Sequence, residues 1–126
     1  MKKKILILMS ITFCSASFAN TEYSDLKHNK AINELLAKYE VTKDSQQKQF
    51  YLTAAAEQNS GLANKLLAKE INIPDTQKIK YYLQAAKYGY PTQSYQAIAD
   101  IYEQGVSIKK DEFLAECYKN LSKTNP

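Results

Sequence analysis

The chain has 126 residues with a formal charge of +4, and it contains ten tyrosines, two cysteines, one histidine and no arginine. Its length is that of one domain. The charge excess sits largely in Lys2, Lys3 and Lys4, and arginine, the usual bidentate reader of phosphate and guanine, is missing, so nucleic acid is not an expected partner.

Taken in chain order, the first element is a secretory leader. The three lysines precede an apolar run from Ile5 to Cys14, and Ser17-Phe18-Ala19 supplies small residues at the third and first positions before Asn20. This pattern predicts a signal peptide over residues 1–19, cleaved after Ala19, and a mature domain over 20–126. The run is short of the roughly 20 apolar residues that a bilayer span takes, so no stable membrane insertion is expected. Phe13 stands before Cys14 where a lipoprotein signal wants a small residue. The expected location is the periplasm or the exterior. Loss of Cys14 leaves Cys117 as the sole thiol of the mature chain, which predicts no intramolecular disulfide and no cysteine-based metal site.

From Asp25 onward apolar residues recur at intervals of three and four and never alternate, which predicts helix throughout. A first helix runs from about Asp25 to Tyr39, with Ser24 as its cap and Leu26, Ile32, Leu35, Leu36 and Tyr39 on its apolar side. A second covers about Asp44 to Gln58, and a third about Gly61 to Ile71. The fourth begins at Pro74, where a missing amide proton costs nothing, and stops near Gly89. The fifth starts at Pro91 and ends before Gly105. The sixth starts near Asp111 and frays after Leu121. Short loops make these into three antiparallel hairpins, about 25–58, 61–89 and 91–122.

The hairpins repeat. Asp44, Asp75 and Asp111 are 31 and 36 residues apart, and Phe50, Tyr81 and Tyr118 follow at 31 and 37. A period in the thirties marks a stacked helix-hairpin array. Leu35, Leu67 and Ile98 are then one equivalent position on the first helix of each hairpin, with Tyr39, Ile71 and Tyr102 one turn further along the same face. Phe50, Tyr81 and Tyr118 are the large residues that meet them, and Ala54-Ala55 and Ala85-Ala86 allow close helix approach. The three aspartates at helix starts read as caps.

The stretch from Tyr81 to Leu121 resembles the Sel-one-like repeat family, a tetratricopeptide-like class. The resemblance rests on Tyr81, Ala85, Ala86 and Gly89, then Ile98, Ala99, Tyr102 and Gly105, then the loop Val106 to Asp111 followed by Ala115 and Tyr118. Leu35 to Asn59 matches through Leu35, Tyr39, Lys43, Asp44, Phe50, Ala54 and Ala55. The hairpin around Leu67 matches least, with Ile71 in place of the tyrosine. The family glycine after the leucine is Leu36, Ala68 and Ala99 here. The resemblance implies an all-α, right-handed αα-hairpin solenoid of about three repeats.

Sites for chemistry are sparse. His28 is the single histidine, so no second one can build a nucleophile pair, and it reads as solvent-facing. Ser24 and Lys27 have Ser-x-x-Lys spacing but open an exposed helix. No phosphate-cradling glycine loop is present. The reading is therefore a non-enzymatic monomer that needs no metal or cofactor and binds another protein. A solenoid offers the concave face made by its first helices. Asn33, Lys65, Lys69, Gln96 and Asp100 lie two residues from the core positions and are placed near that face. Tyr88, Tyr90 and Tyr95 flank the turn at Pro91 and are candidates for partly exposed contacts, since tyrosine is favoured at interfaces. The resemblance further implies an immunity protein that neutralises a lipase-type toxin delivered by type VI secretion. The alternatives are an envelope scaffold, a host-interaction repeat protein, a self-assembling array and, as an enzyme, a β-lactam-binding or hydrolysing protein.

Overall fold

A computed structural model describes residues 26–124, with side chains from Asn29 onward. The leader, the cleavage site, Ser24 and the side chain of His28 lie outside these residues. Within them there are six helices and no strand: α1 (Leu26–Val41), α2 (Ser45–Glu57), α3 (Gly61–Ala68), α4 (Asp75–Lys87), α5 (Pro91–Gln104) and α6 (Glu112–Thr124). The described residues are all-α, as the three-and-four spacing predicts. No helix among the described residues is long and apolar enough to cross a membrane.

Packing runs chiefly between consecutive helices, α1 on α2 through to α5 on α6. The buried side chains form two clusters. Leu52, Ala55, Ala63 and Leu67 make the first, flanked by Leu35, Leu36, Tyr39 and Tyr81. Ile79, Ala86, Tyr95, Ile98, Ala99 and Tyr118 make the second, flanked by Tyr82, Tyr102, Leu114 and Cys117. Burying a large apolar side chain stabilises by about 1.5–3 kcal/mol. Cys117 is disulfide-bonded; the expectation of a sole thiol concerns the chain after loss of Cys14, a residue outside the described ones.

A quartet at i, i+1, i+4 and i+5 recurs on the inward face of α1, α3 and α5. It is Ala31, Ile32, Leu35 and Leu36, then Ala63, Asn64, Leu67 and Ala68, then Ser94, Tyr95, Ile98 and Ala99. All eight members in α3 and α5 are buried. Leu67 and Ile98 are fully buried in these quartets and Leu35 is half-buried. Tyr102 also stacks on Tyr118, their ring centroids 6.0 Å apart at 8°.

Two expected core residues are not in the core. Phe50 is 65% exposed and Ile71 90% exposed. Ile71 is turned outward because α3 ends at Ala68 with Lys69 as its cap, three residues short of the expected end, so no helical turn carries it back to the core face. For Phe50 the register is off by one. Helices α2 and α4 each have 13 residues, and Ser45 aligns with Asp75, which pairs Tyr81 with Tyr51 rather than Phe50. The inward face of α2 is set by Leu52 and Ala55. Phe50 lies two residues from Leu52, about 200° round the helix.

The same alignment explains the turns. Asn59 (φ 69°) and Gly89 (φ 119°) occupy equivalent left-handed positions. Ser60 N–H donates to the Ala55 carbonyl at 3.0 Å and Tyr90 N–H to the Ala85 carbonyl at 2.9 Å, the six-to-one bond that closes a helix C-terminus. Gly61 then starts α3 so close to the next turn that a Cβ on it would lie 2.2 Å from the Tyr88 carbonyl oxygen.

Capping by the three aspartates holds in one case. Asp111 accepts from Leu114 N–H at 3.0 Å, a cap at the start of α6. Asp44 stands at the cap position of α2 but makes no side-chain capping bond. Asp75 is the first residue of α4, not its cap, and Pro74 precedes it. Its buried carboxylate accepts Ser107 N–H at 2.9 Å while its own N–H donates to Ser107 Oγ at 2.8 Å. That reciprocal pair ties the loop after α5 to the start of α4. The true side-chain cap of α3 is Ser60, which accepts from Ala63 N–H at 3.0 Å.

Candidate functional site

The residues that follow quartet members on α1, α3 and α5 point away from the core. They include Asn33, Lys65 and Gln96 at one level and Lys69 and Asp100 a turn later. Two grooves open along this side of the helices. The first, of about 400 Å³, runs between α1, the start of α3 and the α4–α5 turn, and holds Asn33, Tyr88 and Tyr90. The second, of about 480 Å³, runs between the end of α3, α4 and α5, and holds Lys69, Asp100, Tyr82 and Val106.

Lys65 bridges α3 and α5 at the side of the first groove. Its Nζ donates to Gln93 Oε1 at 2.6 Å and lies 4.8 Å from the Tyr90 ring centroid. On α5, Gln96 Nε2 donates to Asp100 Oδ1 at 3.2 Å, one turn apart along the helix. In the lining of the second groove, Lys78 Nζ donates to the Glu70 carbonyl at 2.6 Å and the Ala68 carbonyl at 3.3 Å. A cation there meets the negative end of α3. Burial, then the Asp100 charge, raises the Tyr82 phenol above its usual value. Lys69 is exposed and carries an open charge into the second groove.

Five expected contact residues line the two grooves, Asn33, Tyr88 and Tyr90 the first and Lys69 and Asp100 the second; Lys65 and Gln96 line neither and reach them only through Tyr90 and Asp100. Tyr95 is in neither lining. It is 3% exposed and packs its ring 6.0 Å from that of Tyr118. The reason is its place in the quartet, where it stands in register with Ile32 and Asn64. Asn29, Asn59, Gln93 and Lys78 join the site without having been anticipated. Asn59 was legible as the counterpart of Gly89, because asparagine tolerates left-handed backbone. Gln93 and Lys78 carried no such signal, since an exposed glutamine or lysine on a helix is ordinary.

Both grooves offer hydrogen-bonding and aromatic surface. No group of three metal-ligating side chains is assembled among the described residues. No family model, curated protein or solved structure matches the chain.

Proposed function

We propose that this chain is an αα-hairpin solenoid of the Sel-one-like kind, exported and non-enzymatic, whose grooved side binds another protein. The observation that supports this most is the gathering of Asn33, Lys65, Lys69, Gln96 and Asp100 on one side of α1, α3 and α5. Those residues are spent only partly on one another. The specific partner we favour is a secreted lipase-type toxin delivered by type VI secretion, with this protein as its periplasmic antidote.

The test is co-expression. The exported protein should rescue growth of cells that make such an effector in the periplasm, and the two should co-purify. The double substitution Lys69→Glu with Asp100→Lys should abolish rescue while leaving the helical circular dichroism unchanged. Rescue that survives the double substitution places the binding face elsewhere. Absence of rescue against effectors encoded beside it rejects the antidote reading.

Export has its own test. Cleavage after Ala19 removes Cys14, the only other cysteine in the sequence. Cleavage and a bridge to Cys117 within one chain therefore exclude each other. The intact mass of periplasmic protein should correspond to a chain beginning at Asn20. A bridged chain beginning at Met1 would reject export by cleavage. Incubation with a chromogenic β-lactam should give no hydrolysis.

A further inference from the structure

We propose that the first groove is a binding site for an uncharged saccharide, a pyranose oligomer rather than a protein segment. This goes beyond the protein-binding reading, shares Asn33 with it, and stands mainly on Asn29, Asn59, Tyr88 and Tyr90.

Among the described residues, the groove between α1, the α2–α3 turn and the α4–α5 turn has no charged side chain in its lining. That sets it apart from the second groove, which carries Lys69, Asp75, Lys78 and Asp100. Three amides converge on it: Asn29 and Asn33 from the first two turns of α1, and Asn59 from the left-handed position of the α2–α3 turn. None of these three side chains spends a hydrogen bond on another described residue. Each amide offers two donors and an acceptor with two lone pairs. Neighbouring hydroxyls of a sugar, each both donor and acceptor, match that set without any formal charge.

The other walls are Tyr88, Tyr90 and the floor residue Leu36. A pyranose has apolar C–H faces that lie against an aromatic ring or an aliphatic floor. Tyrosine supplies such a surface together with a polar tip. Among the described residues the lining itself holds no cation for a phosphate or a carboxylate, and the nearby Lys65 ammonium is engaged by Gln93 and the Tyr90 ring, which disfavours nucleotides and acidic peptides. The volume, about 400 Å³, falls within the usual range of small-molecule sites. The close approach of Gly61 to the Tyr88 carbonyl holds the tyrosine turn against the start of α3, so the walls are built in before any ligand arrives.

The experiment is a titration of the purified protein, followed by backbone amide NMR, with two probes: the N-acetylglucosamine tetramer and maltotetraose. Saturable shifts confined to Asn29, Asn33, Asn59 and Tyr88–Tyr90 are expected with at least one. Preference for the N-acetylated probe supports a cell-wall type of glycan, and preference for the other supports a plain glucan. Asn33→Ala and Tyr90→Ala should each weaken binding about tenfold, the loss of one good hydrogen bond or stacking contact. The Lys69→Glu, Asp100→Lys protein should bind the sugars unchanged, which separates this site from the protein-binding reading. No saturable shift with either probe overturns the proposal, as do shifts centred outside the groove. Tighter binding of a neutral tetrapeptide than of both sugars also overturns it, in favour of a peptide groove.

Discussion

Tyr118 buries a phenol oxygen that finds no hydrogen-bond partner among the described residues, and Ser94 does the same with its hydroxyl. An unpaired buried hydroxyl costs about 1–3 kcal/mol, whereas the ring around it contributes packing. Burial, then the neighbouring Tyr102 and Tyr95 phenols, pushes the Tyr118 hydroxyl far above its usual range, so it stays protonated. Tyr118→Phe should therefore leave stability unchanged or raise it by up to about 2 kcal/mol in urea unfolding. A loss of more than that would reveal a partner for the oxygen. The Glu103–Lys119 pair, 2.9 Å apart between α5 and α6, behaves differently. The Lys119 hydrogen bond, then its charge, lowers the Glu103 carboxyl, and Glu103 likewise raises Lys119. The carboxylate contribution is present above the unfolded value of about 4.3 and is lost as pH falls through the lower folded value. The lysine contribution is present below about 10.4 and is lost as pH rises through its higher folded value. The Tm gap between the protein and Glu103→Gln should be small, because the pair is exposed, and should close at the acid end. A gap that persists in acid contradicts the assignment.

At the scale of elements, the turns carry the sharpest constraints. Gly105 sits at φ 59° and a Cβ there would lie 2.8 Å from Lys110 backbone and side chain. Gly61 would press a Cβ into the Tyr88 carbonyl. Gly105→Ala and Gly61→Ala should each destabilise by about 1–3 kcal/mol, through strain in the first and overpacking in the second. Circular dichroism melts of both variants check this, and an unchanged Gly61→Ala melt would mean that the turn can slide away. Much of this level was legible in the sequence. Pro91, Gly89 and Gly105 announced their helix ends, and the three-and-four spacing gave the helices. What misled was counting from aromatics. Phe50 and Tyr51 are adjacent, both can pair with Tyr81 by spacing alone, and only the helix start at Ser45 decides for Tyr51. Ile71 was misread for a related reason, because the early end of α3 has no glycine or proline to mark it. Tyr95 shows the limit for sites: beside a proline turn it reads as surface, yet the burial quartet claims it.

For the whole molecule, the sequence, read through the helix period, led to Asn33, Lys69 and Asp100, which line the grooves. It said nothing of the grooves, since those depend on how the α2–α3 and α4–α5 turns lie beside α1. The chemistry of the two grooves, the first lined by neutral side chains among the described residues and the second by charges of both signs, is a property of packing between elements rather than of any motif. Helices that touch mainly their neighbours along the chain also have a kinetic meaning. Little chain must be searched before each contact is rewarded, so folding should be complete in microseconds to milliseconds, and stopped-flow fluorescence of the tyrosines measures it. A phase lasting seconds would contradict assembly dominated by neighbouring helices. A chain that collapses this quickly gives any machinery requiring an extended polypeptide only a brief chance to engage it. If the chain is exported as proposed, slowing the collapse, for instance with Leu67→Ala, should increase the translocated fraction even as it lowers the fraction that survives heating.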